Sequence, residues 1–308
     1  MGKVVYLDWN IFQDLIQARR GEGLRENLEA AKRSGYQIVY SFAHMRDLSR
    51  CSNKEYVEND LAEVSKLTDN WCVGMIQNEG AIAYAQHPPK VVINEVYKQQ
   101  AQSENAMIGS PYRFASYPVD MSKVSDENIL TPYLKKNNGV MSQELLDEFV
   151  KELYETIFTD HKIQKQFRES LKEIVSIGNP AFAQFGDLPL YKYMFSSKEV
   201  IVENLNEIVN SFLSLNNKAL ETIPLGEKIT TTYNILDFFP AFSERLKKNN
   251  NIRNIATDAE HLFLASDSRY LVCGDNKMLE KAKIVYKAYG VKTKVFEREQ
   301  FIQRVTFC

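Results

Sequence analysis

The fold of this chain is decided by two neighbouring stretches, ATDAEHLFLA at residues 256–265 and YLVCGDNK at residues 270–277. The first has apolar residues at helical spacing, and the second is a short apolar run that ends at an acidic residue. Together they predict a helix that carries Asp258, followed by a buried strand that ends at Asp275.

The N-terminus has the same pattern. Val4-Val5-Tyr6-Leu7 is an apolar run typical of a strand covered on both faces, and it leads directly into Asp8. A second strand is predicted at residues 36–40, before a helix that carries Asp47. Strands that alternate with helices indicate right-handed βαβ units and a parallel sheet. Because the carboxyl ends of such strands border the ligand-binding crevice, we expect the acidic residues to meet there.

The α/β pattern is confined to the two ends of the chain. We therefore predict a three-layer α/β/α core with a mainly parallel sheet, formed by residues 1–95 and 233–308. Residues 96–232 are predicted to be a mostly helical insertion. A basic stripe at helical spacing within it is either a solvated face or a surface for RNA: Lys162, Lys165, Arg168 and Lys172.

Composition excludes several classes of protein. The chain has 308 residues, 44% of them hydrophobic, so it can bury a substantial core. Its formal net charge of −2 argues against a broadly basic nucleic-acid-coating protein. No apolar run approaches the ~20 residues of a membrane helix, and no signal-peptide layout is present. Four scattered cysteines without CxxC spacing are typical of reduced thiols. We expect a cytoplasmic protein with no membrane partner.

Carboxylates that meet at one place repel each other unless a cation neutralises them. Hard divalent ions such as Mg²⁺ take oxygen ligands, so the sequence predicts a metal site. Each residue also has a structural interpretation. Asp8 or Asp275 alone could be a helix N-cap, and Asp47 could be an acidic residue in the first turn of a helix. His261 could be a buried helix residue with a satisfied hydrogen bond.

Four features, in this chain order, resemble PIN-like metal-dependent nucleases. They are Asp8-Trp9-Asn10 after the first strand, Asp47 in the helix after the second, Asp258 with His261, and Gly274-Asp275-Asn276-Lys277. The resemblance covers about residues 1–70 and 250–296. PIN-like domains more often have glutamate where this chain has Asp47, and the shorter side chain would reach a metal through water.

The resemblance implies an endonuclease that hydrolyses phosphodiester bonds, with RNA preferred and DNA possible. It implies that Mg²⁺ or Mn²⁺ is held by Asp8, Asp47, Asp258 and Asp275. Asn10, His261 and Lys277 would contact the substrate. Proteins of this kind often serve as toxins or antiviral defence effectors, so a homo-oligomer, an inhibitor or a defence-system partner is expected.

Two other functions fit part of the pattern. A haloacid-dehalogenase-like phosphatase also begins with a strand that ends in Asp, but its chemistry needs a second Asp two residues later, where this chain has Asn10. Its Gly-Asp motif is often followed by another Asp at the position of Leu279. A metal-free scaffold of the same fold, which binds RNA or protein, is the third possibility. The clustered acids argue against it, because their repulsion would cost stability.

Overall fold

A computed structural model of the protein describes residues 2–19, 22–76, 80–103, 116–142, 189–193, 196–214, 217–239, 241–242 and 252–307, with single positions between 144 and 173. The strands are β1 (Val4–Leu7), β2 (Gln37–Ser41), β3 (Trp71–Met75), β4 (Ile82–Gln86), β5 (Tyr117–Pro118), β6 (Val140–Met141), β7 (Tyr270–Cys273) and β8 (Lys294–Glu297). Six of them form one sheet in the order β4-β3-β2-β1-β7-β8, and β5 pairs with β6.

The described helices surround these strands. They are α1 (Trp9–Ile16), α2 (Glu22–Arg33), α3 (Phe42–Leu48), α4 (Lys54–Thr68), α5 (Pro89–Ser103), α6 (Thr131–Lys136), α7 (Pro189–Lys192), α8 (Lys198–Glu203), α9 (Leu205–Ser214), α10 (Leu225–Phe238), α11 (Ile252–Ala265), α12 (Asn276–Ala288) and α13 (Arg298–Arg304).

The six-stranded sheet is parallel except at β4, which pairs antiparallel with β3. The predicted α/β class with a mainly parallel sheet is therefore confirmed. The β3–β4 hairpin was not predicted. Its edge strand is half-buried or exposed throughout, so it lacks the continuous apolar run by which the inner strands are recognised.

Helices pack on both faces of the sheet, an arrangement compatible with three layers. Val5 and Leu7 belong to a core cluster with apolar residues of α1, α2, α4, α5 and α13. Successive strand residues point to opposite faces, so Tyr6 lies on the other side. There its hydroxyl contacts His261 of α11, which places α11 on the second face.

The chain forms two compact units. The first contains residues 1–106, 224–236 and 256–308, and the second contains residues 107–223 and 237–255. The first unit extends beyond the predicted boundary at residue 95 because α5 packs against α3 and α4. All four predicted acidic residues belong to the first unit.

Several helix boundaries differ from the predictions. The capping-box pattern Ser196-Ser197-Lys198-Glu199 predicts one helix to about Leu215, but Asn204 separates α8 from α9. The Asn204 amide donates to the carbonyl of Val200 at 2.8 Å and competes with the backbone ladder. The sequence also predicts a helix over residues 233–247, but α10 begins earlier, at Leu225, directly after Pro224. Lys165, Arg168 and Lys172 lie outside the described residues, whereas Lys162 is helical and exposed.

Candidate active site

Asp8 lies where β1 ends and α1 begins. It is the N-cap of α1, and its Oδ1 accepts from the backbone N–H of Trp9 at 2.7 Å. Its Oδ2 accepts from the amide of Asn10 at 3.2 Å. The residue is only 2% exposed. Asp8 can therefore be both a helix N-cap and a residue of the site, because an N-cap at the carboxyl end of a central strand also faces the crevice.

The thiol of Cys273 links the end of β7 to Asp8, and it also accepts from the backbone N–H of Asp275 at 3.4 Å. Strand β7 pairs in parallel with β1, and the N–H of Asp8 donates to the carbonyl of Val272 at 2.9 Å. The sulfur of Cys273 lies 3.8 Å from Asp8 Oδ2. Burial raises the pKa of this thiol well above its ordinary value, and the charges of Asp8, Asp275 and Asp258 raise it further. Three carboxylates thus act on one sulfur atom at the carboxyl edge of the sheet.

Asp275 is the N-cap of α12. Its Oδ1 accepts from the backbone N–H groups of Lys277 at 2.6 Å and Met278 at 2.9 Å. These bonds fix the carboxylate at the positive end of the helix, where negative charge is favoured. The Lys277 side chain is half-buried beside it, and Asn10 is exposed beside Asp8.

Asp47 projects from α3 and is held by two basic side chains. Its Oδ2 lies 2.9 Å from His261 Nε2, and its Oδ1 accepts from Arg50 Nη1 at 2.9 Å. The Asp47 side chain is 15% exposed. The Asp47 charge also raises the pKa of Asp8, which places the two carboxylates within electrostatic range of each other. All four predicted acids therefore belong to one region.

A chain of buried hydrogen bonds continues from Asp47 into the core. His261 Nδ1 lies 2.7 Å from the hydroxyl of Tyr6, which lies 2.8 Å from the hydroxyl of Ser41. The Ser41 hydroxyl lies 2.8 Å from His44 Nδ1, and His44 Nε2 lies 2.7 Å from the carbonyl of Leu7. Tyr6, Ser41, His44 and His261 are all fully buried.

The inner end of this chain fixes the protonation of His44. Leu7 offers only a carbonyl, so His44 Nε2 carries a proton, and His44 Nδ1 accepts from the backbone N–H of Ser41 at 2.9 Å. His44 is then neutral, and burial lowers its pKa well below the ordinary value. The Ser41 and Tyr6 hydroxyls share one hydrogen bond in which either oxygen is the donor. The Tyr6 oxygen accepts from His261 Nδ1 when that nitrogen carries a proton, and the hydroxyl donates to it when it does not.

When it is protonated, His261 donates through both ring nitrogens, to Tyr6 and to Asp47. Burial alone would lower its pKa, but the hydrogen bond and charge of Asp47, with the charges of Asp8 and Glu260, raise it. Its ring is fully buried with both nitrogens engaged, so it is a positioning group for Asp47. The structure does not present it to a substrate, which was its predicted role.

Further contacts fasten α3 to α11. Arg46 forms an ion pair with Glu260, and Arg50 Nη2 donates to the hydroxyl of Thr257 at 2.6 Å. Burial raises the pKa of Glu260, and the Arg46 charge opposes this effect. From its position on the helix, Glu260 is predicted to be a solvated or capping residue, but its side chain is 23% exposed and paired with Arg46.

The sequence analysis missed Tyr6, Ser41, His44, Arg46 and Arg50. Tyr6 was counted as core because it lies inside an apolar run. One signal was available in the sequence. A buried Tyr hydroxyl needs a hydrogen-bond partner, and Tyr6 lies on the face of β1 opposite Val5 and Leu7, so a polar partner was to be expected on that face. Ser41 and His44 also have the N-cap to N3 spacing at the start of α3.

The site carries excess negative charge that a cation would relieve. Burial raises the pKa of Asp8 and the Asp47 charge adds to this, against His261 and the bonds from Asn10 and Trp9. In the part of the chain that the structure describes, no three His, Cys, Asp or Glu side chains are close enough together to hold a metal as they stand. The available donors are carboxylate oxygens, which fit Mg²⁺ or Mn²⁺ chemically.

Comparison of the chain with models of known protein families, with curated proteins and with solved structures returned no match. Across the described residues, no helix combines the length and apolar character that crossing a membrane requires. The function of the site is therefore argued from its own geometry.

Proposed function

We propose that this chain is a PIN-like, metal-dependent endonuclease that hydrolyses phosphodiester bonds in RNA. One observation carries the proposal: Asp8, at the end of β1, lies 3.8 Å from the Cys273 thiol at the end of β7, at the carboxyl edge of a mainly parallel sheet. The charge of Asp47 from α3 acts on Asp8, and the charges of Asp275 and of Asp258 from α11 act on the same thiol. The chain order of these acids is the order in the PIN-like resemblance. A role in the cytoplasm as a toxin or defence effector, with an inhibitor or partner protein, extends the same proposal.

Asp8, Asp258 and Asp275 would hold Mg²⁺ or Mn²⁺, with Asp47 completing the set. A bound ion of this kind supplies an activated water and compensates negative charge on the phosphate oxygens. The protein contributes position. Asp8 and Asp275 are fixed by backbone N–H groups of α1 and α12, and Asp47 is fixed by His261 and Arg50.

Asn10 and Lys277 would contact the phosphodiester. The amide of Asn10 is exposed and already donates to Asp8, so its oxygen can accept from a water or a ribose hydroxyl. Lys277 stands in the first turn of α12, where its ammonium can pair with a phosphate oxygen beside Asp275. His261 acts through Asp47 as a positioning residue.

A metal-free scaffold is the second candidate, and a specific observation favours it. The Asp47 carboxylate already contacts the His261 imidazole and the Arg50 guanidinium, so part of the negative charge is neutralised within the protein. A haloacid-dehalogenase-like phosphatase is less well supported. Asn10 stands at the position of its acid–base Asp and donates to Asp8 instead.

Incubation of the purified protein with total RNA, with and without Mg²⁺ or Mn²⁺, followed by sequencing of new ends, tests the proposal. We expect new ends only with metal, and none with the Asp8→Asn variant. A DNA arm reports substrate preference, and a small phosphomonoester arm reports the phosphatase alternative. RNA binding without cleavage in either metal would support the scaffold and contradict the nuclease.

A further inference from the structure

A groove of about 780 Å³ opens beside the candidate site. It lies between α1 and α4, and Trp9 and Asp47 line the end nearest the carboxylates. Along α1 the lining continues to Ile16, which at ~1.5 Å per residue is a length of about 10 Å. This length accommodates one unpaired base that projects from a strand at the site.

Two aromatic side chains belong to this groove. Trp9, at the start of α1, is half-buried and packs its ring against Phe12 at a centroid distance of 6.3 Å. Tyr56, in the first turn of α4, is 62% exposed. Nucleobases stack on exposed aromatic rings of this kind.

The polar lining favours a base over a phosphate. Gln17 donates to Gln13 at 2.6 Å, and Gln13 donates to Asp60 Oδ2 at 2.8 Å, so these amides hold one another in place. A carboxylate accepts about four hydrogen bonds, so Asp60 retains capacity for a further donor. The lining contains three acids, Asp47, Asp60 and Glu63, and one basic residue, Arg19.

This excess of carboxylates would repel a phosphate backbone, whereas carboxylates accept hydrogen bonds from exocyclic amino groups of bases. We infer that the groove binds an unpaired nucleobase that carries an exocyclic amino group, stacked on Tyr56 and Trp9 with its amino group on Asp60. Adenine, cytosine and guanine have this group and uracil lacks it. The placement of a scissile phosphate next to this base rests on the proposed nuclease function, but the base-binding step does not.

The test measures binding of fluorescein-labelled single-stranded RNA octamers of A, C or U by anisotropy, in chelator and at one salt concentration. We expect the A and C octamers to bind about tenfold more tightly than the U octamer, as for one good base contact. Tyr56→Ala should weaken binding of all three by about tenfold, as for one lost stack, and Tyr56→Phe should not. Asp60→Asn should remove the preference over U.

Tyr97→Ala is the matched control, because Tyr97 is also an exposed tyrosine of the first unit, 41% exposed, and does not line the groove. All variants should melt at the wild-type temperature, since the altered side chains are exposed or half-buried. Equal wild-type affinity for A, C and U, no octamer binding, or unchanged binding by Tyr56→Ala would each overturn the inference.

A parallel incubation of the same octamers with Mn²⁺ separates this inference from the proposed function. Octamers that bind with the expected pattern but stay intact would support the groove and contradict the nuclease. Octamers that are cleaved equally by wild type, Tyr56→Ala and Asp60→Asn would support the nuclease and overturn the groove.

Discussion

The buried hydrogen bonds from Asp47 to Leu7 predict a large effect for a very small substitution, Tyr6→Phe. Only the hydroxyl is removed, and the ring stays packed, so no cavity forms. The hydroxyl lies 2.7 Å from His261 Nδ1 and 2.8 Å from Ser41 Oγ. Its loss leaves the buried Nδ1 of His261 without a hydrogen-bond partner, while Ser41 keeps its bond to His44.

The magnitude follows from these partners. A buried donor or acceptor without a partner costs about 1–3 kcal/mol, and more when it is charged. The hydrogen bond between the Tyr6 hydroxyl and Ser41 Oγ is lost as well. Together, these losses should lower the free energy of unfolding of Tyr6→Phe by about 2–4 kcal/mol. Tyr40→Phe is the matched control on the neighbouring strand, because its hydroxyl donates to the carbonyl of exposed His87 at 2.5 Å. Water can replace that donor, so about 1 kcal/mol or less is expected.

Urea unfolding followed by tryptophan fluorescence measures both variants. The two tryptophans, Trp9 and Trp71, both lie in the first compact unit, so the signal reports the unit that carries the site. The midpoint should fall in Tyr6→Phe with an unchanged m-value. If Tyr6→Phe loses no more stability than Tyr40→Phe, the hydrogen-bond chain does not hold the site as described.

Two further predictions concern charge. Asp8→Asn keeps the oxygen that caps α1 but removes a charge that burial disfavours, so in chelator it should raise the free energy of unfolding by about 1 kcal/mol. Asp8→Ala also removes the cap and should lower that free energy. If urea unfolding shows that the Asn variant is less stable than wild type, Asp8 is mainly a structural hydrogen-bond acceptor. Asp8→Asn should also lose the rise in melting temperature that Mg²⁺ gives wild type. The folded state raises the pKa of His261, so above the unfolded value of about 6.5 it binds more protons than the unfolded state. Stability should then fall as pH rises from 6.5 through the folded pKa, by at most about 1.4 kcal/mol per unit. The pKa of His44 is lowered, so His44 affects stability only below pH 6.5. The pH dependence of stability above 6.5 should therefore vanish in His261→Gln. If it persists in that variant, another group is responsible for it.

The sequence was sufficient for the α/β class with a mainly parallel sheet, because that class follows from local patterns. Apolar runs that end in Asp8 or Asp275 identify strands that are covered on both faces, and parallel order then brings their ends together. The β3–β4 hairpin was missed because an edge hairpin need not be apolar, and the break at Asn204 depends on one side-chain bond.

The hydrogen-bond partners of the acidic residues could not be predicted from local sequence patterns. Tyr6 and His261 are 255 residues apart, and Asp47 and His261 are 214 apart, so no spacing rule relates them. The raised pKa of His261 depends on Asp47 and Asp8, which come from α3 and from the end of β1. That arrangement exists only once β1, α3 and α11 have packed together.

The most direct test of the central claim is the single-turnover cleavage rate of one defined single-stranded RNA as Mn²⁺ is titrated. Wild type should cleave with a rate that saturates in metal and is abolished by chelator. Asp275→Asn keeps an oxygen that can cap α12 but loses the ligand charge, and it should be at least 100-fold slower, as for loss of one transition-state contact. Asp120→Asn changes another N-capping aspartate, in the second compact unit, and should cleave like wild type. Cleavage by Asp275→Asn at the wild-type rate, or metal-independent cleavage by the wild type, would contradict a carboxylate-held metal as the source of activity.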